Sequence, residues 1–275
     1  MSRKTKYSKI TGTGSAHPLR RVTNEELVRD FQSSAAASVI DAEWIRTRTG
    51  ISERRLSVAG EDRDTNSSLA ATAAVRALEL ANKSASDVDQ LIVATCTPDR
   101  LIPSTACLVQ EKIGATKAWA FDVNAACSGF VYALTLADQA IRSGSARTVL
   151  VIGSDVLSAF TDWRDPSSAV LFGDGAGAVV LEATIGDGTQ GILTTQMGSG
   201  GGHDLFHIEA GGSACSVTPE RSAQGLDKMR MRGREIFKAS VRTMTDYAHL
   251  AAETCAIEVE EIDWLIPHQA NLRIL

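Results

Sequence analysis

The stretch FDVNAACSGF, residues 121–130, decides how this chain is read. It begins as an apolar strand, turns through small residues and enters a helix-forming run. Trp119 to Asn124 predicts a strand, and Gly129 to Ile141 predicts a helix. Cys127 therefore falls at a strand-to-helix turn. Backbone N–H groups at a helix start lack intrahelical partners, and the helix dipole favours negative charge there. Both effects would lower a thiol pKa. Ala125, Ala126, Ser128 and Gly129 are small enough for a tight turn and for a substrate to approach. The same residues also fit a small, buried, inert cysteine. The G-x-S-x-G elbow of serine hydrolases is absent.

Working outward, apolar β-branched runs alternate with Ala-rich periodic stretches, an α/β pattern. Strands are predicted at DQLIVATC (89–96), WAFDVNAA (119–126), RTVLVIGSD (147–155), AVVLEAT (178–184) and IDWLIP (262–267). Helices are predicted at 67–83, 129–144 and 231–255. Residues 198–226, rich in Gly and Ser, read as a long loop. The strands are apolar on both faces, as in a sheet covered by helices.

The chain also echoes itself. SASDVDQLIVA follows one helix and AIEVEEIDWLIP follows another, with Asp89 and Asp263 in register at an offset of 174 residues. The echo is either the common helix–turn–strand texture or a true duplication. A duplication predicts two related α/β halves, 1–180 and 181–275, whose central strands end close together. Such halves bring Cys127 near His268. The counterpart of Cys127 would then fall near position 301, so the second half is expected to be incomplete in these 275 residues.

Composition narrows the function classes. Of the residues, 44% are apolar and 22% charged, and the net charge is −5. No basic run interleaves with aromatics, so nucleic acid is not an expected partner. The N-terminus lacks the apolar region of a signal peptide, and no apolar run spans a membrane. A cytoplasmic location is expected. Five scattered cysteines without a C-x-x-C pair disfavour a disulfide framework or structural zinc.

Among five histidines, His268 alone follows an apolar strand directly, in DWLIPHQAN. Ligands gather at the carboxyl ends of strands in α/β sheets, where a neutral imidazole can donate a hydrogen bond or move a proton. A helix-capping or core histidine is the competing reading. His203 and His207 have a metal-compatible spacing but no evident third ligand. TGTGSAH (11–17) offers only G-x-G, weak support for dinucleotide binding. FGDGAGAVVL (172–181) reads as a tight turn entering a strand. Arg234, Lys238 and Arg242 share one helix face beside an apolar stripe of Phe237, Val241, Met244 and Ala248, read as core.

Taken together, KITGTGSAHP, DAEWIRTRTGISERR, DVNAACSGF, VLVIGSDVLS, LFGDGAGAVVLE, MRGREIFKASV and DWLIPHQANLRI resemble the β-ketoacyl-acyl-carrier-protein synthase III family. These are initiating condensing enzymes of the thiolase superfamily. The likeness implies a thiolase-like α/β fold with layers α-β-α-β-α. It implies decarboxylative condensation of an acyl-CoA primer with malonyl-acyl carrier protein. Cys127 would carry the acyl group and His268 would activate the malonyl carrier. Trp44 and Arg48 would contact coenzyme A. Ile102, Phe172, Met231 and Phe237 match the acyl-pocket region, and Lys238 and Arg273 match carrier-docking positions. Asn271 matches a structural asparagine. No metal or redox cofactor is implied, and a homodimer is.

Two departures stand out. Pro166 occupies a position where many relatives carry an arginine that contacts coenzyme A, leaving Arg164 as a substitute of unknown direction. The family's second active-site asparagine would fall near position 298. The alternatives to fatty acid initiation are a condensing or acyltransferase enzyme of secondary metabolism, and an inactive truncated homologue with a structural or interaction role.

Overall fold

The structure, a computed structural model, describes residues 5–30, 40–186 and 189–275. In chain order its elements are β1 (Thr5–Ala16), β2 (Arg21–Thr23), α1 (Asn24–Asp30), α2 (Ala42–Thr49), β3 (Glu53–Arg55), α3 (Asn66–Leu80), β4 (Gln90–Ala94), α4 (Thr105–Ile113) and β5 (Trp119–Val123). They continue with α5 (Gly129–Ser143), β6 (Thr148–Val156), α6 (Pro166–Ala169), β7 (Asp174–Gly186), β8 (Phe206–Ile208), α7 (Pro219–Ala223), β9 (Met229–Met231) and α8 (Gly233–Cys255). Contacts divide the chain into two compact units. One comprises Met1–Leu19, Ser57–Val156 and Asp174–Met197; the other comprises Arg20–Leu56, Leu157–Gly173 and Gly198–Leu275. Each unit combines three separate stretches, whereas the halves expected from the repeat are contiguous.

The first unit is an α-β-α sandwich on a sheet of order β1-β7-β6-β4-β5. β4 runs parallel to β5 and β6, while β7 runs antiparallel to β6 and β1. Side chains of a strand alternate between faces. Leu91, Val93, Leu150, Ile152 and Val180 accordingly join α3 and α4 in one core cluster. Ile92, Val149, Val151 and Leu181 join Ala133, Ala137 and Ile141 of α5 in another. All five residues of β4 are buried.

The G-x-G of the first strand finds its explanation here. Gly12 and Gly14 lie two apart, on one face of β1. A Cβ on Gly12 would sit 2.2 Å from the Ala77 carbonyl oxygen, and one on Gly14 the same distance from that of Ala73. The glycines let α3 press its alanine stripe onto the strand. Helix–sheet packing, not phosphate binding, accounts for the motif.

In the second unit, β2 pairs with β3 over a small core of Val22, Leu27, Ile45, Leu56, Ala169 and Val170. α2 begins at Asp41, whose carboxylate accepts the Trp44 N–H at 2.7 Å. It ends at Gly50, whose φ of 77° favours glycine. The Leu272 N–H donates to the Thr49 carbonyl at 2.9 Å, so the segment after His268 is tied to the end of this helix. β8 pairs with β9, and the Phe172 and Phe206 rings stack 6.1 Å apart.

The predicted strands of the first unit form, and so do all three predicted helices. Three other expectations need correction. IDWLIP is not a strand: beyond a 3₁₀ turn at Val259–Glu261, residues 264–267 pair with no described strand, and Trp264 is 84% exposed. A strand is made by its neighbours, and this segment has none among the described residues. The expected loop at 198–226 contains β8 and α7, because Thr218 caps that short helix by accepting the Arg221 N–H and Pro219 suits its first position. The apolar stripe on α8 is not core, since Ala252 is the one residue of that helix that is buried.

Candidate active site

Cys127 sits in a 3₁₀ turn, Ala126–Ser128, joining β5 to α5. The turn is tight because Ala126 takes φ 44°, a left-handed conformation costing an L-residue about 1–2 kcal/mol. Such strain is commonly stored where a side chain must be presented. The stretch around it is fully used. The Asp122 carboxylate accepts the Thr105 and Ala106 N–H groups, both at 2.7 Å, capping α4. Burial pushes the Asp122 carboxyl above its ordinary value, opposed by these hydrogen bonds. Gly129 lies against the Cβ of Ala94 at the end of β4, and Phe130 packs on Gly153 of β6.

Cys127 is open to solvent, which disposes of the buried-cysteine reading. Neighbouring protein nonetheless desolvates its sulfur. That desolvation pushes its thiol up, opposed by its own backbone N–H and reinforced by Asp155. The helix start therefore does not win: the expected lowering of the thiol pKa is reversed. A thiolate needs about 1 kcal/mol or more of help for each pKa unit of such a shift.

Asp155, near the end of β6, is a buried-network residue that the sequence reading did not single out. Its Oδ1 accepts from the Cys96 N–H at 2.9 Å, the Thr97 N–H at 3.2 Å, and the hydroxyls of Thr95 at 3.0 Å and Thr97 at 2.9 Å. The Cys96 thiol donates to the same oxygen at 3.4 Å. Burial, then Asp155, push the Cys96 thiol up to about 12. Asn66, the first residue of α3, donates through its amide to Thr95 Oγ1 at 2.8 Å and to the Thr97 carbonyl at 2.6 Å. The signal available in the sequence was the aspartate in VIGSDVLS, a charged residue at the end of an apolar strand.

The second unit holds the remaining candidates. Trp44 is half-buried against its core cluster, with the Arg48 guanidinium 5.6 Å from the ring centroid, a cation–π contact. His268 lies on the segment that Leu272 anchors to the same helix; desolvation lowers its pKa and favours neutral imidazole. Phe172 stacks on Phe206, and Met231, in β9, is half-buried. Phe237 and Lys238 are exposed on α8, and Arg273 is exposed near Asn271, whose side-chain oxygen accepts the Arg273 N–H at 2.9 Å. Ile102 belongs to the first unit and is 87% exposed, not core. Arg164 turns onto Asp162, its Nε 3.0 Å from Oδ1, and this pairing holds the Asp162 carboxyl below its ordinary range. Pro166 opens α6 behind its cap, Asp165. Among the described residues, no group of three or more His, Cys, Asp or Glu side chains could hold a metal ion, so the His203 and His207 spacing builds no site there.

Residues 121–201 match the family model for 3-oxoacyl-[acyl-carrier-protein (ACP)] synthase III. The β-ketoacyl-[acyl-carrier-protein] synthase III of Roseiflexus sp. strain RS-1 is 45% identical over 270 residues, covering 98% of this chain and 78% of that protein. The chain belongs to the β-ketoacyl-acyl-carrier-protein synthase III family. Structures agree. The 3-oxoacyl-(acyl carrier protein) synthase III of Pseudomonas aeruginosa PAO1 matches with a TM-score of 0.83 and 34% identity, covering 98% of this chain and 77% of that one. The priming β-ketosynthase of the R1128 polyketide pathway matches with a TM-score of 0.80 and 30% identity, covering 100% of this chain and 77% of that one. The synthase III family supplies the thiolase-like fold expected from the motifs, and its members are condensing acyltransferases. Within that family, the matched stretch 121–201 contains both the Cys127 turn and Asp155. No described helix is long and apolar enough to cross a membrane.

Proposed function

We propose that this chain carries out the initiating condensation of fatty acid synthesis through an acyl-Cys127 intermediate. The observation that carries the reading is an open thiol on a strained turn at the carboxyl end of β5. The Cys127 sulfur attacks the carbonyl carbon of an acyl-CoA thioester, giving up its proton. Fixed N–H donors stabilise the tetrahedral oxyanion, with the Cys127 backbone N–H as one candidate. Coenzyme A leaves as the thiol, and the acyl group stays on sulfur. Malonyl-acyl carrier protein then loses carbon dioxide, and the electron pair of the broken C–C bond forms a thioester enolate. His268 donates a hydrogen bond to the enolate oxygen. The enolate carbon attacks the acyl-cysteine carbonyl, sulfur departs as the thiolate and takes up a proton from water, and a β-ketoacyl carrier protein is released. The steps balance without a metal or redox cofactor.

The supporting roles follow the family likeness. Trp44 and Arg48 offer coenzyme A an aromatic face and a cation on one helix. By the same likeness Phe172, Met231 and Phe237 match the acyl-pocket region, and Ile102 matches the segment that a dimer partner contributes to it. Lys238 and Arg273 give the acidic carrier protein two exposed cations, which speed encounter more than they tighten binding. A homodimer in the cytoplasm completes the reading.

Acetyl-CoA labelling tests it. Peptide mass analysis should find the acetyl group on Cys127, and Cys127→Ala should reduce both acylation and condensation by at least about a thousandfold. Acylation at Cys96 or Cys107, or unchanged condensation by the variant, would overturn the assignment. A panel of straight and branched primers, and of carrier proteins, separates fatty acid initiation from priming of a secondary metabolite.

A further inference from the structure

We infer that Asp155 is a positioning residue for Cys127: from the end of β6 it gathers the turn after β4 beside the nucleophile and sets a fixed negative charge next to the thiol. The inference rests on Cys127 being the acyl carrier.

Three strand ends converge on the elbow. Thr95 continues β4 and donates its N–H to the Val123 carbonyl at 3.1 Å, tying it to the strand that leads into Cys127. Ala94 is the wall against Gly129, directly after the turn. Gly153 of β6 receives the Phe130 ring, so β6 meets the first turn of α5 two residues before Asp155. The carboxylate then binds Thr95, Cys96 and Thr97 together through a single oxygen. Thr97 passes the connection back, its hydroxyl accepting the Val156 N–H at 2.8 Å. Removing the carboxylate releases these contacts at once.

The charge matters as well as the hydrogen bonds. The Cys127 thiol is favoured as a thiolate by its own backbone N–H and disfavoured by the Asp155 charge, and Cys96 interacts electrostatically with it. The Cys96 thiol, as a donor to Oδ1, disperses part of that charge. The two residues therefore act on Cys127 with opposite sign.

The test is the pH dependence of iodoacetamide alkylation at Cys127, followed by peptide mass analysis in the full chain. Asp155→Asn keeps an acceptor of the same shape and removes the charge. Its alkylation below about pH 8 should be about three- to tenfold faster, with the midpoint moved to lower pH. Cys96→Ala, which withdraws one donor from the carboxylate, should slow alkylation and move the midpoint up. Should Asp155→Asn fail to fold, the Cys96 variant alone decides. Unchanged profiles in folded variants, or shifts of the same sign in both, would overturn the inference. Acylation of the parent by acetyl-CoA is scored separately: its absence sinks the acyl-carrier reading, while the alkylation profiles still report the charge at the thiol.

Discussion

Two regions of this molecule begin alike and finish differently. α3 of the first unit ends in Asn82 at φ 53°, and α8 of the second ends in Ala256 at φ 52°, 174 positions further on. The Lys83 N–H returns to the Leu78 carbonyl, and the Ile257 N–H to that of Ala252. Both pairs are the long bond of the same helix-ending motif. Each helix leads to a 3₁₀ turn with a capping box, Ser84 with Asp87 and Glu258 with Glu261. There the likeness stops. β4 follows the first turn and is buried between two parallel neighbours, whereas Trp264, Leu265 and Ile266 after the second are exposed. Eight residues of α3 are buried, but only Ala252 of the longer α8. Caps and turns are satisfied by residues a few positions away. A strand's hydrogen bonds and a helix's apolar face need partners from distant parts of the chain.

The largest expected effect breaks the pair at its point of divergence. Leu91 is fully buried and its counterpart Leu265 is 70% exposed. Leu91→Ala should destabilise the chain by about 2–5 kcal/mol, through lost transfer energy and a cavity. Leu265→Ala should cost under about 0.5 kcal/mol. Urea unfolding measures both, and equal losses would show that the second segment is packed in solution.

A smaller effect sharpens the shared feature. Ala256 holds a left-handed conformation that suits glycine, while Asn82 tolerates it better. Ala256→Gly should stabilise by about 0.5–1 kcal/mol, and Asn82→Gly by less. Thermal unfolding of the two variants orders them; destabilisation by Ala256→Gly would contradict the observed turn.

The smallest effect concerns acid. The backbone and side chain of Ser84 hold the Asp87 carboxyl below its ordinary value of 3.8. Because the folded value is the lower one, the unfolded chain binds the proton more readily. This contribution is present above the ordinary value and is lost as pH falls through the folded one. Asp87→Asn should therefore flatten the acid decline of the unfolding midpoint slightly. A variant that declines as steeply as the parent would show that this cap is not titrating.

Much of the first unit was legible because its signals are local. The unbroken apolar runs LIVA and VLVI, the alanine stripe of α3 and the small residues around Cys127 each act within one turn or strand. The 174-residue echo was legible too, and its caps match position for position. Less legible was anything that depends on contact across the chain. Asp155 lies 28 positions from Cys127 and reaches the site only because β6 and β4 are neighbours. The thiol's raised pKa was not legible either, since desolvation and Asp155 outweigh the backbone N–H at the turn. Gly12 and Gly14 looked like half a nucleotide motif because their purpose is the approach of α3, which follows some fifty residues later.

The sequence by itself determined the α/β pattern, the helix ends, the strand-to-helix turn and the family motifs that single out Cys127 and His268. These are matters of periodicity, backbone preference and near-neighbour hydrogen bonding. Only the tertiary structure decided that β4 finds partners on both sides and that 264–267 pairs with no described strand. It also decided that Cys127 is open, and that an aspartate from β6 gathers the turn after β4. Burial, pairing and electrostatic proximity belong to residues that meet in space, and no local property of either partner specifies the meeting.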